Sequence, residues 1–252
     1  NDWSANHYKE ISENAMHWAG EILQILQANV PSDAKVLDLG CGDGVLTMQL
    51  QKQHDRVVGV DLSPALLEAA KQLGVMDTRI ADGADLQAAG IGGEEFDAIF
   101  SHYALHWMAQ DPGKVVREMH RCLKPNGLLV AKFGAHHSVS TLRGVLAAIM
   151  DSYGVAELPN LLYFPTADEY RDLLEKTGFE VETAEATPWV GHFPFTIRQY
   201  IDTFIDPCLG DWGDANQRKD VADRMEQYLT PVMCRNGKFY ANYVHLVVVA
   251  RK

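Results

Sequence analysis

Positive charge is scarce in this 252-residue chain, and it is not clustered. Lysine and arginine number 22 against 34 aspartates and glutamates, which gives a formal net charge of −12, and basic residues never stand more than two together. A surface of this kind repels polyanions. We therefore expect no nucleic-acid partner and favour a small molecule, bound to a monomer or a homodimer.

Long apolar runs are missing as well. No segment reaches the roughly 18 apolar residues that a membrane span needs, and no basic stretch followed by an apolar one stands at the start. The four cysteines (Cys41, Cys122, Cys208 and Cys234) are far apart and lack metal-type spacing. We expect reduced thiols, no metal site, no membrane contact and a cytoplasmic protein, with enough apolar sequence (47%) for a large core.

Strand and helix patterns alternate over the first two thirds of the chain. This alternation predicts an α/β fold, a doubly wound, mostly parallel, seven-stranded Rossmann-like sheet with its last strand antiparallel. Two later helical patterns lie between the sixth and last strands, where they predict a lid. The expected organisation is a helical cap over residues 1–30, a ligand-binding core over 31–194 and 236–252, and a helical insertion over 195–235.

The stretch "VLDLGCGDGVLT" (residues 36–47) places a glycine-rich turn between the first strand and its helix. Its G-x-G-x-G spacing departs from the G-x-G-x-x-G of dinucleotide-binding folds, with Val45 in place of the last glycine. Asp38 and Asp43 lie in or beside the turn, where carboxylates repel pyrophosphate and suit a ligand with an amino group and a sulfonium. Asp61 and Asp82 end the next two strands, at positions suited to ribose hydroxyls and to an adenine amino group.

Five segments of the chain, including this glycine-rich turn, occur in the same order as the five sequence motifs of the class I S-adenosylmethionine-dependent methyltransferases, specifically their small-molecule group. The chain resembles that family over residues 30–134. The segments are "VLDLGCGDG", "VVGVDLSPALLEAA", "ADGADL", "FDAIFSHYALHWM" and "EMHRCLKPNGLLVAKF". A looser similarity, to trans-aconitate methyltransferase and its relatives, rests on residues 3–8, "ALHWM" and "FPTADEYRDLLEKTGFEV".

The resemblance implies S-adenosylmethionine as cofactor and suggests which positions contact it. Backbone contacts would come from the three loop glycines, and Asp38 would lie near the methionine amino group. Tyr8 would close over the cofactor, and Gly83, where many relatives carry a larger side chain, would contact adenine through its backbone only. The positions implied to bind the cofactor are Tyr8, Asp38, Gly40, Gly42, Gly44, Asp61, Leu62, Asp82, Gly83, Ala84, Ser101 and His102.

Several residues are candidates for catalysis or for contact with the methyl acceptor. His106 and His102 are candidate catalytic residues, although either could simply shape the pocket, since a carboxylate acceptor needs no base while a phenol or amine usually does. Tyr103, Trp107, His136 and Trp189 are candidate substrate contacts. Adjacent His136 and His137 diverge, which disfavours a metal pair. Arginines that could hold an acidic substrate are Arg143, Arg171, Arg198 and Arg235.

Three functions compete at this point. Methyl transfer to an oxygen of a small molecule is favoured, with transfer to nitrogen or carbon as the alternative. A nicotinamide-dependent oxidoreductase is disfavoured by the G-x-G-x-G spacing of the loop glycines and by the lack of a nearby Tyr-x-x-x-Lys pair. A non-catalytic cofactor-binding relative is disfavoured because suitable residues fill every expected cofactor position.

Overall fold

The computed structural model describes residues 18–155, 162–193 and 195–252. Its centre is one sheet in the strand order β3-β2-β1-β4-β5-β8-β6, with a short β7 paired to β8. Strands β1 to β5 are parallel, whereas β8 runs antiparallel to both neighbours. The strands are β1 Lys35–Leu39, β2 Arg56–Asp61, β3 Thr78–Ile80, β4 Phe96–His102, β5 Leu123–Gly134, β6 Glu180–Phe193, β7 Cys234–Arg235 and β8 Lys238–Arg251.

The doubly wound α/β sheet with an antiparallel last strand is thus confirmed, and the two-residue β7 is an addition to it. Helices cover both faces of the sheet, and the segment between β6 and β7 continues as a π-helical turn and a 3₁₀ turn before its long helix. The helices are α1 residues 18–29, α2 Val45–Leu50, α3 Pro64–Leu73, α4 Pro112–Cys122, α5 Ser140–Asp151, α6 Ala167–Thr177, α7 Ile197–Tyr200 and α8 Ala215–Met233.

Local capping chemistry sets several helix boundaries. Ser63 caps α3 by accepting from the Leu66 N–H, and Pro64 occupies the first helical position. Thr166 and Glu169 form the expected reciprocal capping box of α6. Gly178, in the left-handed conformation, ends α6 as predicted.

Three apolar clusters make up the core. One packs α4 and α6 against one face of the sheet, and a second packs α1 and α2 against the other face. The third joins α5 and the 195–233 segment to the far ends of β6 and β8. Among the described residues, no helix combines the length and the apolar character needed to cross a bilayer.

Candidate active site

A cavity of about 820 Å³ opens where the parallel strands end. This volume lies in the range of pockets that enclose small molecules and cofactors. Its lining changes along the sheet: β1, β2 and β3 contribute acids at their carboxyl ends, while β6, β8 and the 195–208 segment contribute aromatic rings. The acidic half is lined by Asp38, Asp43, Asp61 and Asp82, and the aromatic half by Trp189, Phe193, Phe195, Tyr200, Phe204 and Tyr243.

The three loop glycines have different roles. All adopt positive φ, but only Gly40 lines the cavity, and a Cβ there would collide with Ala104. Gly42 donates its N–H to Asp61 Oδ2 at 2.9 Å. A Cβ on Gly44 would lie 2.8 Å from the Cβ of Ala70 and 2.6 Å from Val75, so this glycine lets α2 approach α3.

Asp61 closes the glycine loop against β2. Its Oδ2 accepts from the Gly42 N–H and its Oδ1 accepts from the Ser63 N–H, both at 2.9 Å. Burial raises the pKa of Asp61, and these backbone donors oppose the shift. A carboxylate offers about four lone-pair sites, so those left over can accept ribose hydroxyls from the cavity.

Asp38 is deeper, at 2% exposure, and its Oδ2 accepts from Thr47 Oγ1 at 2.7 Å. Burial raises its pKa to about 7; the Thr47 hydrogen bond lowers it and the charge of Asp61 raises it further. The group therefore titrates near neutrality. A cation placed beside it would favour the carboxylate form.

The third acidic position is more open. Asp82 is exposed and holds the turn after β3 by accepting from the Ala84 N–H at 2.8 Å. Gly83 is buried in the same turn, and a Cβ there would come within 2.5 Å of Met108 Sδ. All three residues line the cavity. The turn thus offers backbone and carboxylate groups at the edge where adenine was expected.

Two histidines near the end of β4 line the cavity in neutral form. Burial lowers the pKa of both His102 and His106 to about 3, with the charge of Lys132 adding to the effect at His102. Within the described residues, His102 Nε2 is buried without a hydrogen-bond partner. His106 Nδ1 accepts from the Gly134 N–H at 3.4 Å, and its ring stacks on Phe164.

Tyr103, between these histidines, forms a pair that the sequence did not suggest. Its hydroxyl lies 2.6 Å from Nε2 of His245, a residue of β8. Both side chains line the cavity. A histidine inside the apolar run "YVHLVVVA" was the available signal, because a polar residue is uncommon in a buried strand.

The remaining predicted residues fall into three groups: those that line the cavity, those that do not, and one outside the described residues. Leu62, 64% exposed, lines the cavity together with Trp107 and Trp189. Ser101 does not line it, since its hydroxyl donates to the Leu39 carbonyl and joins β4 to β1. His136 is exposed and lies outside the cavity, because the chain turns after β5 and its N–H donates to the Pro165 carbonyl. Tyr8 lies outside the described residues.

Sequence reasoning also missed Trp18, Met108 and Tyr243, which line the cavity too. Tyr243 bonds the hydroxyl of Tyr200 at 2.7 Å, and Trp18 contacts the rings of Tyr103 and Trp189. These contacts join elements far apart in the chain, so no local pattern indicates them. Among the described residues, no group of three His, Cys, Asp or Glu side chains is arranged to hold a metal ion.

Comparison with known proteins identifies the family. Residues 37–131 match the methyltransferase domain family. The uncharacterized methyltransferase C70.08c of Schizosaccharomyces pombe is 33% identical over 261 residues, which cover 99% of this chain and 98% of that protein. Trans-aconitate 2-methyltransferase of Deinococcus radiodurans is 29% identical over 66% of this chain and 61% of its own.

A crystal structure of a Bacillus halodurans protein assigned as a methyltransferase shares the fold. Its TM-score is 0.63 at 17% identity, over 92% of this chain and 97% of that one. Fold, glycine loop and acidic cavity together define a class I S-adenosylmethionine-dependent methyltransferase. The chain belongs to the methyltransferase family, and its cofactor is S-adenosylmethionine.

The cavity fits this cofactor on its own geometry. Gly40 and Gly83 leave bare backbone at its wall, since a Cβ at either position would collide with Ala104 or Met108. Carboxylates line the same part of the cavity, where a cationic, hydroxyl-rich ligand would need partners. When bound, the cofactor supplies a methyl group on a cationic sulfur. Asp38 and Asp61 are the residues that would hold the donor, and the aromatic half would shield it from water and take an acceptor.

Proposed function

We propose that this enzyme transfers the methyl group to an oxygen, carboxylate or hydroxyl, of a small molecule. The observation that carries the proposal is the division of one cavity into an acidic half and an aromatic half. The acidic half suits the donor. The aromatic half then receives the acceptor. A cavity of about 820 Å³ favours a small molecule as acceptor. The net charge of −12 disfavours a nucleic acid.

The lining supports an acceptor that is both flat and acidic. Rings from Trp107, Trp189 and Phe204 line the cavity, and Arg143 of α5 lines it with its guanidinium 5.4 Å from the Phe164 ring centroid. Arg198, in contrast, pairs with Asp202, Asp223 and Glu226. Arg143 is therefore our candidate for holding a carboxylate of the acceptor.

Residues 195–235 complete the proposed organisation as a lid over the acceptor half. Phe195, Tyr200 and Phe204 reach the cavity from this segment, and its other apolar side chains pack against α5 and the ends of β6 and β8. The insertion would shield the reacting groups from water. Of the predicted cap over residues 1–30, residues 1–17 lie outside the described part of the chain, and Trp18 lines the cavity. We place the protein in the cytoplasm and expect a monomer or a homodimer.

The experiment is a screen with methyl-labelled donor. Purified enzyme is incubated with panels of carboxylic acids, phenols, amines and transfer RNA, and labelled products are identified by mass spectrometry and NMR. The proposal expects an ester or an ether of a small molecule. Label found only on nitrogen, carbon or nucleic acid would overturn it while leaving the family assignment intact.

A further inference from the structure

Tyr103 is held in an uncommon backbone conformation at the cavity wall. Its φ is +52°, a left-handed value that costs energy in a residue with a side chain and that recurs at functional sites. The turn is fixed by its N–H, which donates to the Lys132 carbonyl at 2.7 Å. From this turn, directly after β4, the side chain reaches over to β8.

The group that it reaches there is the imidazole of His245. Tyr103 Oη and His245 Nε2 are 2.6 Å apart, and His245 as a whole residue is only 8% exposed. Trp189 stacks on the ring at 5.6 Å, and the Lys132 ammonium pairs with Glu21. Burial, reinforced by the charge of Lys132, lowers the pKa of His245 to about 4, so the ring is neutral at pH 7.

The chemistry of the two groups gives the direction of their hydrogen bond. A phenol is a stronger acid than a neutral imidazole N–H, and an imidazole nitrogen is a stronger base than a phenol oxygen. Tyr103 therefore donates to His245 Nε2. The lone pairs of the Tyr103 oxygen remain for a donor, and both residues line the cavity.

We propose that Tyr103 and His245 form a proton relay for an acceptor hydroxyl, with Tyr103 touching the acceptor and His245 acting through it as a positioning residue. This inference rests on the proposed function and narrows its oxygen acceptor to a hydroxyl. A carboxylate has no proton to give up, so it would have no use for the relay.

The step balances within the site. The acceptor oxygen bonds to the methyl carbon, and the carbon–sulfur bond breaks with its electron pair remaining on sulfur. The acceptor proton passes to the Tyr103 oxygen while the Tyr103 proton passes to His245 Nε2, and the imidazolium later releases it to water. A weak base suffices, because a hydroxyl becomes strongly acidic as its oxygen forms the new bond.

Tyr103 is a better candidate than His106 for taking the acceptor proton. His106 Nδ1 already accepts from the Gly134 N–H and its ring stacks on Phe164, contacts that suit a wall of the pocket. Tyr103, in contrast, combines backbone strain, a basic partner and a place on the cavity wall. His106 then shapes the site and need not move a proton.

The first test needs no acceptor. Nitrogen-15 NMR of histidine-labelled protein at pH 7.5, with His245 assigned from His245→Gln, reports which ring nitrogen carries the proton. The relay expects an unprotonated Nε2 that accepts a hydrogen bond, and a shift of its resonance in Tyr103→Phe. A protonated Nε2 would overturn the proposal, whatever the enzyme methylates.

The second test uses phenolic acids such as 4-hydroxycinnamate, each with one hydroxyl and one carboxyl group, and labelled donor. The relay expects ether products, with kcat about 100-fold lower in Tyr103→Phe and His245→Gln and KM nearly unchanged. Glutamine at position 245 can accept the Tyr103 hydrogen bond but takes up no proton. If His245 had a purely structural role, the kcat of His245→Gln would therefore equal that of the unmodified enzyme. Esters formed at full rate by both variants would overturn the relay.

Matched controls come from β8, which carries His245, and from its neighbour β6. His192 of β6 and Tyr240 of β8 contact each other at 5.7 Å and do not line the cavity. His192→Gln and Tyr240→Phe should therefore keep the kcat of the unmodified enzyme. If no compound of any class took up label, the proposed function would fail, and the NMR result would still decide the hydrogen bond on which the relay depends.

Discussion

Replacing Asp61 with alanine tests the donor site most sharply. The substitution removes the proposed ribose acceptor, and a hydrogen bond to a charged group contributes about 1–3 kcal/mol, which corresponds to roughly a 5- to 150-fold weaker Kd. It also leaves the N–H groups of Gly42 and Ser63 without their present acceptor. The unfolding free energy should fall by about 1–3 kcal/mol as a result, less what is regained by removing a buried carboxyl.

The assay is a titration with S-adenosylhomocysteine followed by tryptophan fluorescence, since Trp107 and Trp189 line the cavity. Denaturant unfolding of the same samples separates lost affinity from lost folding. Asp77→Ala is the matched control, because that carboxylate is 46% exposed and pairs with Arg79 away from the cavity. Wild-type affinity in folded Asp61→Ala protein would refute the ribose assignment.

Three further predictions concern other residues. Because the pKa of Asp38 is about 7, only about a tenth of this carboxyl is ionised at pH 6. Donor affinity measured by calorimetry should therefore rise about tenfold from pH 6 to pH 8. In Asp38→Asn the affinity should not change over this pH range. In the free protein the same raised pKa lowers stability as pH climbs from about 4 to 7, since the folded state keeps a proton that the unfolded state has lost; thermal melts of Asp38→Asn should lose this slope. Gly44→Ala should lower the free energy of unfolding, measured in denaturant, by about 2–4 kcal/mol, because of its positive φ and its contact with Ala70. The donor affinity of the folded fraction should stay within twofold of that of the unmodified protein. An unchanged free energy of unfolding would contradict the packing role. Arg143→Ala should raise KM for acidic acceptors about tenfold at constant kcat, with Arg235→Ala as control, whereas an unchanged KM would remove Arg143 from the acceptor site.

Local rules account for the parts of the fold that the sequence predicts. The Thr166–Glu169 capping box, the proline after Ser63 and the glycine after α6 act within a few residues, so their patterns carry through to the structure. The alternation of strands and helices likewise predicts the order of a doubly wound sheet. The π-helical turn Ile201–Ile205 and the short β7 depend on packing between distant elements, which no local pattern encodes.

The site divides in the same way. Four residues can be predicted from their positions at or just after the ends of predicted strands, and the structure brings all of them to one cavity: Asp38, Gly40, Asp61 and Asp82. Gly44 follows from the same pattern but serves helix packing, because its Cβ position faces α3. His245 enters the site only through tertiary structure, since β8 pairs with β5 and places its imidazole against Tyr103.

Calorimetric titration with S-adenosylmethionine, S-adenosylhomocysteine and NADH tests the central claim most directly. The acidic lining of the cavity predicts binding of the first two ligands and no heat from NADH, whose pyrophosphate would meet Asp38, Asp43 and Asp61. Tight binding of NADH with no response to the other two would contradict the account.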